Sequence, residues 1–244
     1  MADAAEKYFQ IVQQQLTAIA QTQREKIGQA AEWVSDALRQ NHFIYAFGSG
    51  HSHALAEEMF YRAGGLARVV AILDENLMVH KSASASTDWE RKEGYAAEIL
   101  SRYPMSEGDV LFIISNSGRN PVPIEMAMEA EKHGAKVIAI SSAQYSATFS
   151  SRHSSGKKLS DVAHLVIDNC GVAGDAVIQI PGLPQKVGPT STISSAFILN
   201  SILVEAAARV TSVGGKIEVW GSANSDSTNN EILLTKYKGR ISHL

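Results

Sequence analysis

Between residues 110 and 140 a strand-length apolar run, a hydroxyl-rich loop, a helical pattern and a second apolar run follow one another. That succession constrains the fold more than any other feature of the chain. Val110-Leu111-Phe112-Ile113-Ile114 is continuously apolar, as a strand covered on both faces has to be. Ile124, Ala127, Met128 and Glu131 then fall at helical spacing until Gly134 stops the pattern, and residues 136–140 supply the next strand. Strand, loop, helix, strand is a βαβ unit, so the two strands run parallel and the helix crosses one face of their sheet.

The same alternation runs through most of the chain. Residues 43–47 read as a strand, followed by the loop Gly48-Ser49-Gly50-His51-Ser52 and a helix to about residue 63, closed by Gly64-Gly65. Residues 69–73 are the next strand, and a Ser- and Ala-rich stretch without a clear period leads to a helix expected over 88–103, before Pro104. Short strands are expected at 163–167 and 176–180. Gly188-Pro189-Thr190-Ser191-Thr192 then opens a helix over about 193–210 that Gly214-Gly215 ends. The expected fold class is α/β: a doubly wound, mostly parallel five-stranded sheet flanked by helices, with an N-terminal helical extension.

Residues 4–40 carry one or two amphipathic helices, with Gly28 as the expected break or bend. Their apolar face needs a partner surface, either the domain or, the reading favoured here, a second subunit. The organisation is therefore an N-terminal helical extension (1–30), a core domain (31–214) and a polar, Asn/Ser-rich tail (215–244) that holds a short helix at 231–237.

Composition narrows the class of function. A formal net charge of −3, with no basic cluster beyond Lys157-Lys158, argues against a nucleic-acid surface. No apolar run approaches the ~20 residues of a membrane span, and the N-terminus lacks the pattern of a signal peptide. The single cysteine, Cys170, excludes an intrachain disulfide and a cysteine zinc site. A cytoplasmic protein is expected, with no nucleic-acid or membrane partner, no cofactor and no assigned metal.

Three loops share a hydroxyl- and amide-rich character at helix starts: Ser49, Gly50 and Ser52; Ser115, Asn116, Ser117, Gly118 and Asn120; and Thr190, Ser191 and Thr192. One such loop is ordinarily just an N-cap. In a doubly wound sheet, however, loops after the strands gather at one edge, where helix N-termini present free N–H groups. Three loops there favour an oxyanion pocket, and hydroxyls without a carboxylate suit a phosphate monoester. Gly48-Ser49-Gly50 also begins a dinucleotide fingerprint, but His53 stands where the third glycine belongs, and no Gly-Lys-Ser/Thr is present for a P-loop.

Ser115-x-Ser117-Gly118 after a strand, with the earlier Gly48-Ser49-Gly50-x-Ser52 turn, resembles the SIS (sugar isomerase) domain over about residues 31–214. Ser117-Gly118-Arg119-Asn120-Pro121 is similar to the Ser-Gly-Arg-Thr-Pro of N-acetylmuramic acid 6-phosphate etherases. Residues 192–203 resemble the late helix of those enzymes and of glucokinase regulatory protein. The chain looks like a member of the uncharacterised bacterial family built from a single SIS domain. The resemblance implies a phosphosugar ligand, with Ser115, Ser117 and Asn120 at the phosphate and Ser49 and Ser52 at the sugar. It also implies an assembly of at least two subunits, for which the N-terminal helices and the tail are the expected contacts.

The candidate catalytic residues are Glu58 and Glu75. Ala56-Glu57-Glu58-Met59 is similar to the Ala-Glu-Glu-Leu of phosphoheptose isomerases, whose second glutamate is an acid/base and metal ligand. The histidine one turn earlier in that family is Ala54 here, and the late helix reads Phe197-Ile198-Leu199-Asn200 instead of carrying a His pair. His51, and His53 with Glu57 at i,i+4, are the substitutes within reach of a metal. The plain alternative for Glu58 is an ion pair with Arg62. Glu75 sits just past the second strand, where paired carboxylates would serve etherase-like chemistry, although the Ser-Glu-Cys-Pro-Pro of those enzymes is absent. The expected function is a phosphosugar-processing enzyme, an isomerase or lyase. Its alternatives are a non-catalytic phosphosugar sensor and a nucleotide-binding domain.

Overall fold

The computed structural model describes residues 3–225 and 229–244, so part of the Asn/Ser-rich tail lies outside the described residues. Five parallel strands form the central sheet: β1 (Ile44–Gly48), β2 (Val69–Ile72), β3 (Val110–Ile114), β4 (Lys136–Ser141) and β5 (Leu165–Asp168). Their spatial order is β2-β1-β3-β4-β5, with every pairing parallel. The expected doubly wound sheet is the observed one.

Helices cover both faces, and strand alternation decides which residue meets which layer. Tyr45, Phe47, Leu111, Ile113, Val137 and Ala139 point to a core built with α5 (Tyr95–Leu100), α6 (Pro121–Lys132) and α10 (Glu231–Tyr237). Ile44, Ala46, Val110, Phe112, Ile114, Ile138 and Ile140 point the other way. Their core is built with α2 (Arg24–Arg39), α3 (His53–Met59) and α9 (Ser191–Ser212). Both layers being apolar explains why these strands are continuous hydrophobic runs.

The N-terminal helices pack on the domain itself. Ala30, Ala31 and Val34 of α2 are fully buried and α2 lies along α9, so the apolar face of α2 is covered within the chain, whereas Phe9 of α1 stays exposed. The break between α1 (Ala4–Thr22) and α2 falls at Gln23, because Gly28 sits inside α2.

Two further differences bear on the site. The helix expected over 88–103 is two helices, α4 (Ala83–Glu90) and α5, separated by Gly94 with φ +83°. The strand expected over 176–180 is β6 (Ala176–Ile178), which leaves the main sheet and pairs antiparallel with β7 (Val187–Pro189). The remaining helices are the short α7 (Ala143–Thr148) and α8 (Leu159–Val162). By length and composition α9, at 22 residues, is apolar enough to cross a membrane, contrary to the reading that no run approaches that length. It buries Ile198, Leu199, Ile202, Ala206 and Val210 on the sheet and α2, as a core helix does.

Candidate functional site

The chain winds from β1 towards β2 on one side and from β3 towards β4 on the other, so a crevice opens between the carboxyl ends of β1 and β3. Gly48 and Ile114 are register partners, which makes Ser49 and Ser115 the first residues out of adjacent strands. The first loop turns tightly: a Cβ on Gly48 would lie 2.3 Å from the Ser52 carbonyl oxygen. Gly50, at φ +58°, donates its N–H to the Leu77 carbonyl at 2.8 Å, fastening this loop to the turn after β2.

In the second loop the carbonyls are held from outside. Asn116 O accepts from Ser142 N at 2.9 Å, Gly118 O from Leu159 N at 2.9 Å and Arg119 O from Arg152 N at 2.8 Å. In a trans peptide the N–H points opposite to its carbonyl. The N–H groups of Ser117, Arg119 and Asn120 are therefore turned away from those partners. Among the described residues, no backbone N–H from Asn116 to Asn120 has an acceptor. Gly118 makes the bend possible at φ +60°, a conformation costly for other residues. The hydroxyls of Ser52, Ser115 and Ser117 also have no hydrogen-bond partner among the described residues, while Ser115 is 5% exposed. A row of outward N–H groups with adjoining free hydroxyls is an anion nest.

The two loops meet on a carboxylate that the sequence reading did not single out. Glu90 Oε1 accepts from Ser49 Oγ at 2.6 Å and Oε2 from Asn120 Nδ2 at 2.6 Å. Asn120 occupies the N-cap position of α6 without capping it, since its Oδ1 accepts from Arg152 Nη1 at 2.8 Å. Burial pushes the Glu90 carboxyl above the ordinary 4.5, and the Ser49 and Asn120 hydrogen bonds and nearby Arg152 and Arg91 partly oppose it. Glu90 ends α4, and the corner after it is fixed: Trp89 packs on Tyr95 with ring centroids 4.6 Å apart, and Gly94 N donates to the Glu125 carboxylate at 2.8 Å. Tyr95 in turn donates to the buried Asp74 at 2.8 Å. The visible signal for this corner was Gly94 inside an otherwise helical stretch.

Of the carboxylates picked from sequence, Glu58 pairs with Arg62 and accepts from Asn200 Nδ2 at 3.1 Å. Glu75 is exposed and pairs with Lys81 at 2.8 Å, and that hydrogen bond holds its carboxyl below the ordinary carboxylate value. The third loop joins the second through Asn169, whose Nδ2 reaches Asn116 Oδ1 at 2.9 Å and Ser195 Oγ at 3.4 Å. Three of its own donors are occupied. Asp175 Oδ1 accepts from Thr190 N at 3.0 Å and Ser191 N at 2.8 Å, and Oδ2 from Ser191 Oγ at 2.6 Å. Thr192 lies exposed beside them, and the buried Thr190 Oγ1 has no partner.

His53 is buried with Nδ1 2.6 Å from the Gly50 carbonyl, and its Nε2 is 4.0 Å from Glu57. It closes the first loop, whereas His51 is exposed. Among the described residues, Glu93, Glu125 and His153 are the group that brings three metal-ligand atoms within 4.8 Å of one another. Their hydrogen bonds point elsewhere. Ser155 N donates to His153 Nδ1 at 3.1 Å, which leaves the ring proton on Nε2, 3.4 Å from Glu125. Glu93 binds Ser154 N at 2.6 Å and Ser154 Oγ at 2.7 Å. The trio ties the segment after α7 to α6 and to the corner after α4.

Residues 7–142 match the family model of the SIS domain. The UPF0309 protein of Listeria innocua is 42% identical over 236 residues, covering 96% of each chain. Among solved structures, a phosphoheptose isomerase from Francisella tularensis superposes with a TM-score of 0.56 at 16% identity, over 84% of this chain and 96% of that one. The Vibrio vulnificus NanR protein complexed with ManNAc-6P gives 0.51 at 21% identity, over 88% and 64%. Whole-length identity of this order, together with the match to the SIS-domain model, makes the chain a SIS-domain protein of the UPF0309 family.

Proposed function

We propose that the crevice binds a hexose or amino-sugar phosphate and that Glu90 moves a proton on the bound sugar. The observation that carries this reading is the second loop, with its N–H groups from Asn116 to Asn120 and the hydroxyls of Ser115 and Ser117 open to an anion. A phosphate seated there orients the sugar, and the Ser49–Glu90–Asn120 contacts set the carboxylate across both loops. A carboxyl whose hold on its proton is strengthened by burial serves as base and then acid. It takes a proton from the hydroxyl-bearing carbon beside the carbonyl and returns it to the carbonyl carbon, while the hydroxyl proton passes to the old carbonyl oxygen, which is an isomerisation without net change in atoms. The phosphosugar ligand of the NanR neighbour supports the ligand class. We also assign the protein to the cytoplasm and to a homo-oligomer. Phe9, Ile193, Phe197 and Val204 stay exposed on α1 and α9, and light scattering on the purified protein checks the assembly.

The ion pairs that hold Glu58 and Glu75 favour a second reading, a phosphosugar sensor without turnover. Thermal stabilisation by a panel of hexose, hexosamine and heptose phosphates, read beside product analysis, separates the two. Turnover supports the enzyme, stabilisation alone the sensor, and stabilisation only by nucleotides refutes both. Ser117→Ala is expected to remove the stabilisation; binding that survives it unchanged removes the phosphate seat.

A further inference from the structure

Three guanidinium groups gather beside the second loop, Arg152 and Arg91 close enough to act on the Glu90 carboxylate and Arg119 close enough to act on Arg152, and the phosphate seat does not account for them. Arg119 follows Gly118 in the second loop; its Nε is buried without a partner, and its guanidinium lies 5.0 Å over the Phe149 ring. Arg152 comes from the segment between α7 and α8, bonds its backbone to Arg119 O, and donates one Nη1 hydrogen bond to Asn120. Arg91 directly follows Glu90. Elsewhere Arg62, Arg68, Arg102 and Arg209 each pair with a carboxylate within 4.0 Å. Among the described residues none of the three does, and Glu90 is linked by hydrogen bonds to Arg152 only through Asn120. The acids on the same segments are committed: Glu93 to Ser154, and Glu125 to Gly94 and His153. Crowding shows in Arg152, whose affinity for its proton is lowered first by desolvation and then by Arg119 and Arg91. Like charges gathered at a crevice in a chain of net charge −3 are a standing cost unless an anion joins them.

Resting on the phosphosugar reading, we infer that the ligand carries a second anionic group besides its phosphate monoester, received by Arg119 and Arg152. Planar guanidinium forks bind carboxylate or phosphate through two hydrogen bonds, whereas a neutral hydroxyl would leave these donors underused. The serine-rich loop and the arginine pair thus form two subsites on either side of Asn120. The substrate class is an acidic sugar phosphate, either a sugar-acid phosphate or a bisphosphate.

The test is the ratio of affinities, measured by calorimetry on the full chain with glucose 6-phosphate, 6-phosphogluconate and glucose 1,6-bisphosphate. At least one of the latter two is expected to bind about tenfold or more tightly than glucose 6-phosphate, and which one does identifies the second group. In the double variant Arg119→Gln/Arg152→Gln that ratio is expected to fall to about one. If the double variant does not fold, the wild-type ratio is expected to shrink between 50 mM and 500 mM salt, as an interaction between charges should. Equal affinities in the wild type, with glucose 6-phosphate binding still dependent on Ser117, overturn this inference and leave the phosphosugar reading intact. Arginine variants that weaken all three ligands equally also overturn it, since the guanidiniums would then grip the shared phosphate. No binding of any of the three, or binding indifferent to Ser117→Ala, overturns both.

Discussion

The helix starts at Pro121 and Ser191 have the same kind of sequence and opposite electrostatic states. Both follow a glycine-containing segment rich in hydroxyls, the first after β3 of the central sheet and the second after β7 of the two-stranded sheet. At Ser191 the chain supplies its own anion, since Asp175 takes both backbone N–H groups and a hydroxyl. At Pro121 the nearest carboxylate, Glu90, binds the side chains of Ser49 and Asn120 and leaves the backbone donors of residues 116–120 open. A helix start thus keeps its donors open or has them capped according to whether a carboxylate elsewhere in the chain reaches them. Local composition does not decide the matter.

The largest expected effect comes from the carboxylate at the open start. Glu90→Gln should lower turnover of any sugar-phosphate substrate by about 10²–10⁴-fold, the range for losing a general acid–base group, as read by steady-state kinetics. Turnover left intact would move the chemistry to another residue. Next is Asp175→Asn, which removes the charge at the closed start and sets an amide donor against Ser191. A loss of about 1–2 kcal/mol in urea unfolding is expected, and an unchanged midpoint would show the two starts to be less different than their contacts suggest. Gly118→Ala should cost about 1–2 kcal/mol for the positive φ, with its Cβ 3.3 Å from Leu159 Cβ, and should also weaken phosphate binding by turning the nest.

A smaller effect lies in the pH dependence of stability. The folded Glu90 carboxyl holds its proton to higher pH than the unfolded one, so the folded state binds more protons in the window just above 4.5. Stability from this group should therefore fall as pH rises through that window, and the penalty is complete above the folded value. Glu90→Gln should remove that part of the profile, which unfolding curves at a series of pH values would show. Smallest is Ser117→Ala without ligand, expected within about 0.5 kcal/mol of wild type because its hydroxyl has no partner to lose.

Much of the fold was legible because each central strand is a continuous apolar run bracketed by turn residues. Residues 110–114, for example, are β3 with the expected bounds. The two loops were legible for the same reason, since glycine and serine stand where strands end. The missing residues are those whose role depends on distance in space. Glu90 was hidden in a helical pattern that Gly94 divides, and nothing local indicates that it reaches Ser49, 41 residues earlier. Arg152 and His153 lay in a Ser/Gly-rich stretch that reads as a solvated loop, yet Arg152 reaches back 32 residues to Asn120. For the N-terminal helices, only structure could show that α2 is covered by α9 while Phe9 of α1 stays exposed. Amphipathicity reports that a face is covered and is silent about what covers it.

The pins on the second loop have an evolutionary corollary. Ser142, Arg152 and Leu159 fix its carbonyls through their own backbone N–H groups, so the hold is indifferent to most side-chain changes at those positions. Apart from Arg152, whose side chain also reaches Asn120, the stretch from β4 to α8 can thus drift in sequence while the cradle keeps its shape. A shift in its path, by an inserted residue or a proline at 159, would reset the grip on the proposed anion without altering any residue proposed to touch it.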